Sequence, residues 1–262
     1  MTSLFLAWRE PNARRWFPIG RLQSHGGLFS FAYTAGAMNA KELSQFEPLP
    51  SFPRFDQAYV SDELFPLFSN RLMPKSRPDY RQYRDWLDLE NGETDPVVIL
   101  ARSGGQKATD TLQVFPCPDV DDQNRYTLHF LLHGIRHMSP HSGERCLNLL
   151  PGESLLLMKD VQNPEDPKAL ALRTNEKVEQ DLHILGFCPR YLCDDFRVLL
   201  DEGHLHVEVK KVNTPPAPIH FRVMCKATAD WPTGFKPFDQ EAYRPLVDVD
   251  LANNNLSARM SM

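Results

Sequence analysis

The polar turn Gln162–Pro167 contains the side chains best suited to hydrogen bonding with a ligand. Asn163 and Asp166 both supply side-chain oxygens there, between apolar alternating arms at residues 155–157 and 169–172. Asn and Asp stabilise turns by accepting from nearby backbone N–H groups, and Pro fixes φ, so the pattern predicts a β-hairpin. Two interpretations stay open: the two side chains present polar groups to a ligand at one end of a β-barrel, or they only hold the turn.

Four histidines recur every four residues just upstream of this hairpin. On a helix they would form one stripe and suggest a metal site. Gly134, Pro140 and the many strand-forming residues favour strands instead, and no carboxylate or Cys is spaced to complete a ligand set. We therefore predict packing or surface roles, and no metal, for His129, His133, His137 and His141.

Catalytic motifs are not found in the sequence. The glycine pair Gly104-Gly105 lacks the Lys-Ser/Thr ending of a phosphate-binding P-loop. Neither the HRD nor the DFG pattern of a kinase occurs, and no nucleophile–base pair or nuclease carboxylate cluster emerges. These observations predict a protein that is not an enzyme and needs no cofactor.

Charge restricts the mode of any nucleic-acid binding. The 262 residues carry a formal net charge of −5, and neither half of the chain forms a broad basic surface. Tracking along a duplex needs many Lys and Arg contacts to phosphates and is disfavoured. A small pocket that takes one end of a strand is compatible with this balance.

Segment composition predicts a cytoplasmic protein with no membrane association. No apolar run approaches the length needed to span a bilayer, and residues 1–10 lack the basic start of a signal peptide. The five cysteines form an odd set without a CxxC pair. We expect buried, reduced thiols.

Local patterns divide the chain into two domains and a tail. Residues 1–122 predict a small mixed α/β module: a three-strand meander, helices opening at Ser61 and at Arg77-Pro78, and further elements around Gly104-Gly105. Residues 123–247 predict a small, nearly closed β-barrel with one helix after Pro189. Residues 248–262 are polar and predict a disordered tail. The fold class is therefore α+β.

Residues about 4–117 resemble the N-terminal subdomain of HipA-type serine/threonine kinases, whose kinase core does not follow here. This resemblance implies a small mixed α/β fold and a role in bacterial toxin–antitoxin systems. The order of several segments supports it: Ile19–Leu22, Leu28–Tyr33, Leu49–Pro53, Ser61–Pro74 and Pro96–Pro116.

Residues about 125–246 resemble a HIRAN domain through Gly134–Met138, Asn163–Leu172, Ile184–Pro189 and the helix that follows. The resemblance implies an OB-like barrel, and one member of that family binds the 3′-hydroxyl end of single-stranded DNA. It assigns Arg136 to a ligand-facing strand, Asn163 and Asp166 to the family's Asn and hydroxyl-binding Asp, and Phe187 to the pocket lining.

The physical roles implied for these residues are coherent. Arg136 would pair a phosphate, Asp166 would accept a hydrogen bond from a terminal hydroxyl, and Phe187 would stack a base. The alternative is a structural Arg136–Asp166 ion pair with Phe187 in the core. His137-Met138 replaces the family's paired tyrosines and Glu165 replaces a stacking tyrosine, so only His137 and Phe187 can supply stacking and affinity is expected to be altered or weaker.

Two functional hypotheses follow. In the first, the chain is a non-enzymatic bacterial protein that recognises single-stranded DNA ends, in genome defence against phage. In the second, it is an antitoxin or adaptor whose N-terminal module contacts a separate HipA-type kinase, and the barrel is structural.

Overall fold

A computed structural model describes residues 2–118, 120–121, 123–175 and 182–248. The chain forms two compact units. Of the described residues, the first unit contains 2–80, 90–117 and 238–248, and the second contains 81–89 and those between 118 and 237. The contiguous domains 1–122 and 123–247 stay a prediction, because each unit also takes a segment from elsewhere in the chain. Residues 249–262 of the predicted tail lie outside the described residues.

The first unit is built on an antiparallel sheet in the order β4-β3-β2-β1-β5. The predicted meander is confirmed, since β1 pairs with β2 and β2 pairs with β3. Leu4 and Leu6 of β1 alternate onto the face that packs against the helices, and both are fully buried. The elements in chain order are β1 (Thr2–Arg9), β2 (Trp16–His25), β3 (Leu28–Tyr33), α1 (Ala35–Ser44), β4 (Tyr59–Ser61), α2 (Pro66–Ser69), α3 (Tyr80–Trp86), α4 (Pro96–Ser103) and β5 (Leu112–Pro116).

The prediction that Ser61 opens a helix is wrong. Ser61 ends strand β4, and its hydroxyl accepts from the backbone N–H of Glu63 at 3.0 Å. The helix begins at Pro66 instead, because proline has no N–H to satisfy and its φ suits the first helical position. Pro96 begins α4 in the same way, behind an Asp95 cap that accepts from Val97 N–H.

The second unit is a curled antiparallel sheet in the order β6-β11-β10-β7-β8-β9. This confirms the α+β class and the expected OB-like architecture. Its elements are β6 (Arg125–Leu131), α5 (Pro140–Leu147), β7 (Ser154–Lys159), β8 (Leu170–Thr174), β9 (Ile184–Phe187), α6 (Cys193–Glu202), β10 (His206–Val212) and β11 (Val223–Asp230).

Two backbone hydrogen bonds link the opposite edges of this sheet. His133, just beyond β6, donates to Phe187 O at 2.9 Å, and Phe187 donates to His133 O at 2.8 Å. Gly186 lies directly behind this bridge: a Cβ added there would lie 2.4 Å from His133 O. The barrel therefore closes at the His133–Phe187 pair. The two edges can come this close because Gly186 has no side chain.

The second unit has two α-helices where the sequence predicted one. The expected helix after Pro189 is confirmed as a 3₁₀ turn, Arg190–Leu192, that continues into α6. The additional helix is α5, which was not predicted. Its start signal is Ser139-Pro140: the Ser139 hydroxyl accepts from Ser142 N–H, and proline takes the first helical position.

The segment Arg81–Leu89 is part of the second unit. Lys211 contacts the Asp85 carboxylate at 2.8 Å, and the Asn213 amide donates to Trp86 O at 2.9 Å. The Trp86 ring stacks near Phe221 with centroids 6.3 Å apart. The barrel thus buries apolar surface against a helix encoded before it. No helix among the described residues is long and apolar enough to cross a membrane.

We predict that Gly186→Ala destabilises the protein by about 1–3 kcal/mol, because the new methyl group must push apart the His133–Phe187 bridge. The matched control is Gly143→Ala in α5, where an added Cβ meets open space and alanine favours the helix by about 0.5–1 kcal/mol. Urea unfolding of both variants checks this. Equal midpoints for the two variants would contradict it.

Candidate nucleic-acid interface

The predicted hairpin is present, with β7 and β8 paired from Leu155↔Thr174 to Lys159↔Leu170. Asn163 organises the turn between them. Its side-chain oxygen accepts from the backbone N–H groups of Glu165 at 3.0 Å and Asp166 at 3.2 Å, and its amide donates to Asp160 at 3.0 Å. Asn163 therefore has the turn-holding role, and its polar groups are largely engaged within the loop.

Asp166 is held between the turn and the start of the α6 region. One carboxylate oxygen accepts from Lys168 N–H at 2.9 Å, and the other pairs with the Arg190 guanidinium at 3.1 Å. Arg190 also donates to the carbonyl of Glu165. The Asp166 side chain is 16% exposed, so its carboxylate is fixed in position but still reachable from solvent.

Helix α6 holds the same turn through two more contacts. Lys168 pairs with Asp194 at 2.8 Å, and Arg197 donates to the carbonyl oxygen of Lys168 at 3.2 Å. Exposed pairs of this kind contribute little stability individually. Together with Arg190 they connect the loop to a regular element, and this restricts where Asp166 can point.

Arg136 and His137 lie on a 3₁₀ turn, Ile135–His137, that follows β6. The expectation that Arg136 lies on a strand is therefore wrong: Gly134 has a left-handed backbone, with φ of 76°, and ends the extended run. Both side chains are exposed, and Arg136 Nε donates to His137 Nε2 at 3.0 Å. Within the described part of the chain, no carboxylate pairs with Arg136.

Phe187 lies at the end of β9, partly exposed, beside this 3₁₀ turn. A Cβ added to Gly134 would lie 3.2 Å from the Phe187 ring, so the ring covers the start of the turn. Register places Phe187 opposite Ala171, which is opposite Met158, and residues directly opposite share a sheet face. The ring therefore forms one end of an apolar row rather than part of the inner core.

The five predicted residues form two groups. Asn163 and Asp166 share the hairpin turn, and Phe187 packs beside the segment that carries Arg136 and His137. Among the described residues no hydrogen bond or ion pair joins the groups, so the alternative of an Arg136–Asp166 ion pair is wrong. Asp166 pairs instead with Arg190, a residue that the sequence analysis did not single out. The sequence feature that could have indicated Arg190 is its position directly after Pro189, at a predicted helix start.

Comparison with known proteins gives one family match. Residues 126–231 match the model of the HIRAN domain. Residues 126–231 are therefore referred to as the HIRAN domain. No curated protein matches the chain, and the resemblance of residues 4–117 to HipA-type kinases stays a prediction.

Two solved structures are similar to the chain at low identity. One is a protein from Lactobacillus plantarum, with 19% identity over 40% of this chain and 98% of that chain, at a TM-score of 0.31. The other is the HIRAN domain of human HLTF, with 15% identity over 42% of this chain and 81% of that chain, at a TM-score of 0.29.

The HIRAN domain also buries several titratable groups. Burial raises the pKa of the Cys146 thiol to about 11 and that of Cys193 to about 12, and raises the pKa of Cys188 as well. These thiols stay protonated near neutral pH and are poor nucleophiles and metal ligands. Among the described residues, no group of three or more His, Cys, Asp or Glu is placed to hold a metal ion.

His133 stays neutral at physiological pH. Burial, and to a lesser extent the nearby His220, lowers the pKa of His133 to about 4. An unfolded chain binds that proton near pH 6.5. The unfolded state therefore holds more protons between these values, and the stability of the HIRAN domain falls as pH drops from about 6.5 to about 4.

We predict that the protein loses about 1–2 kcal/mol of stability between pH 7 and pH 5, and that His133→Gln removes most of this loss. Urea unfolding at the two pH values measures it. His141→Gln is the control, because that imidazole is 83% exposed and should leave the pH dependence unchanged. A His133→Gln protein with the wild-type pH dependence would rule out His133 as the source.

Proposed function

We propose that the HIRAN domain of this chain binds the 3′-hydroxyl end of single-stranded DNA, and that the chain acts by binding rather than by catalysis. The family match supports nucleic-acid binding. The observation that carries the proposal is Arg136: an exposed guanidinium without a carboxylate partner among the described residues, beside a partly exposed phenylalanine. A cation next to an aromatic ring is the combination that single strands require.

Arg136 provides the phosphate contact. Its Nε is used by His137, which leaves both terminal nitrogens of the guanidinium for a ligand. A guanidinium binds a phosphate through two parallel charge-assisted hydrogen bonds, which are about twice as strong as neutral ones. The His137 contact positions the guanidinium without neutralising it.

Phe187 provides the stacking surface. Its backbone is fixed on both sides, by β8 and by the bridge to His133, and this holds the residue in place at the end of β9. Base–aromatic stacking contributes about 1–3 kcal/mol per base. Because Glu165 stands where the family has an aromatic residue, Phe187 is the main stacking ring at this site. This limits the affinity for single-stranded DNA.

Asp166 provides selectivity for a terminal hydroxyl. A carboxylate has about four lone-pair positions, and Lys168 N–H and Arg190 occupy one on each oxygen. The remaining positions accept a hydroxyl hydrogen. An internal phosphodiester offers no such hydrogen, and a terminal phosphate is repelled by both Asp166 and Glu165.

The neighbouring basic residues are already paired. Lys168 contacts Asp194, and Lys159 approaches Asp201 at 3.5 Å. Few positive charges remain for further phosphates, so the surface suits a short strand end better than a long duplex track. The roles in genome defence and in a HipA-type system rest on resemblance alone.

We predict that a short oligonucleotide ending in a 3′-hydroxyl binds about tenfold or more tightly than the same strand with a 3′-phosphate, because only the former donates to Asp166. Fluorescence anisotropy with a 5′-labelled strand measures both. Asp166→Asn removes the repelling charge while keeping an acceptor for Lys168 N–H, and should reduce this preference. Equal binding of the two ends by wild type would overturn the proposal.

We predict that Arg136→Ala weakens binding about tenfold and lowers the slope of log K against log salt by about 0.7, the loss of one phosphate contact. Arg125→Ala removes an exposed arginine at the start of β6, a strand about 20 Å long whose other end leads to the turn that carries Arg136. It should change neither value. Identical binding by the Arg136 and Arg125 variants would show that Arg136 does not contact the strand.

A further inference from the structure

A second candidate site lies in the first unit, and none of the predicted site residues lines it. A cavity of about 160 Å³ opens at one end of the sheet face formed by β2, β1 and β5. Its lining includes Arg9, Trp16, Gln106, Lys107, Asp110 and Gln113. Nothing in the HIRAN domain contributes to it.

Strand register explains why three of these side chains converge. Arg9 is paired with Trp16 across β1 and β2, so the two share a face. Ala7, two residues before Arg9 and on the same face, is paired with Gln113 of β5. The Trp16 ring packs against Phe115 with ring centroids 5.5 Å apart. This contact holds the indole in place at one side of the cavity.

The opposite wall is the loop that begins at the glycine pair Gly104-Gly105. Both glycines have left-handed backbones, with φ of 72° and 54°, and a Cβ on Gly105 would lie 3.2 Å from the Leu100 side chain. Gly104 O accepts from Val114 N–H at 2.8 Å, which attaches the loop to β5. This conformation brings Gln106 and Lys107 to the cavity.

Arg71 clamps both ends of this loop. Its guanidinium donates to Gly105 O at 2.8 Å and pairs with both oxygens of Asp110, at 3.2 and 2.6 Å. The Arg71 side chain is only 2% exposed. The Arg71 Nε is buried without a hydrogen-bond partner among the described residues. The two terminal nitrogens therefore hold the loop, and their positive charge offsets that of Asp110.

The remaining charges at the cavity are positive. Within the described residues, Arg9 and Lys107 have no carboxylate partner, and the amides of Gln106 and Gln113 make no hydrogen bond to the protein. Two cations and two amides therefore face a cavity beside an indole ring. An anion with a planar polar ring complements this set: cations bind phosphate, and an amide both donates to and accepts from a base edge.

We propose that this cavity binds a pyrimidine nucleoside monophosphate unit, with its base beside Trp16 and its phosphate at Arg9 and Lys107. The volume supports a single ring, since a cavity of about 150 Å³ holds benzene. The same chemistry is offered by a free mononucleotide or by one nucleotide of a strand. This site is independent of the proposed DNA-end site.

The test is a titration of the full chain with uridine monophosphate, uridine and adenosine monophosphate, followed by calorimetry and tryptophan fluorescence. Uridine monophosphate should bind at least about tenfold more tightly than uridine, because only it engages the two cations. It should also bind more tightly than adenosine monophosphate, because the cavity fits one ring. Equal binding of nucleotide and nucleoside, or none at millimolar concentration, overturns the proposal.

Variants locate the site. Arg9→Ala and Lys107→Ala should each weaken uridine monophosphate binding about tenfold, while Lys75→Ala, an exposed lysine outside the cavity lining, leaves it unchanged. Wild-type binding by both cavity variants overturns the assignment. Arg136→Ala should retain uridine monophosphate binding, so a failed DNA-end test does not affect this result.

A last comparison distinguishes the two sources of the nucleotide, in the Arg136→Ala background. Uridine monophosphate binding at least as tightly as a 3′-phosphorylated thymidine tetranucleotide supports a free mononucleotide. Tighter binding of the tetranucleotide supports a nucleotide within a strand, provided that Lys107→Ala weakens it. Tetranucleotide binding that is insensitive to Lys107→Ala counts against the cavity.

Discussion

The two backbone hydrogen bonds between His133 and Phe187 are the constraint on which the candidate DNA site depends. They join the two edges of a sheet that is otherwise open, and they do so where β6 gives way to the turn carrying Arg136. The same bonds hold Phe187 at the end of β9. A change at this one point would therefore displace both Arg136 and Phe187, the residues proposed to contact a phosphate and to stack a base.

In the hairpin turn, side-chain contacts rather than paired backbone bonds hold the candidate binding residue in place. The backbone of the turn is fixed by Asn163, while Asp166 is oriented by Arg190 from the start of the α6 region. Each contact is partly exposed and individually weak. Together these contacts restrict where the carboxylate points. Such preorganisation would lower the entropic cost of binding for the hydroxyl acceptor that we propose Asp166 to be.

The sequence was informative where structure is decided locally. The hairpin at residues 155–172 and the helix after Pro189 followed from alternation, turn residues and a proline at a helix start. What escaped prediction depends on contacts distant in sequence. Arg190 pairs with Asp166, which lies 24 residues earlier in the sequence. Arg136 lies on a turn and not on the expected strand, because Gly134 takes a left-handed conformation. Nothing near Asp85 or Trp86 indicated that they pack on β10 and its neighbours.

The second unit interrupts the first in sequence, so the parts of the first unit are synthesised at different times. Phe238 and Tyr243 pack against Phe5 on the sheet face opposite the helices, with ring centroids 5.2 and 5.0 Å away. These two rings leave the ribosome only after the whole HIRAN barrel has been made. The amino-terminal sheet is translated first, but the face that carries Phe5 gains these two aromatic contacts only from a segment encoded more than 120 residues after β5.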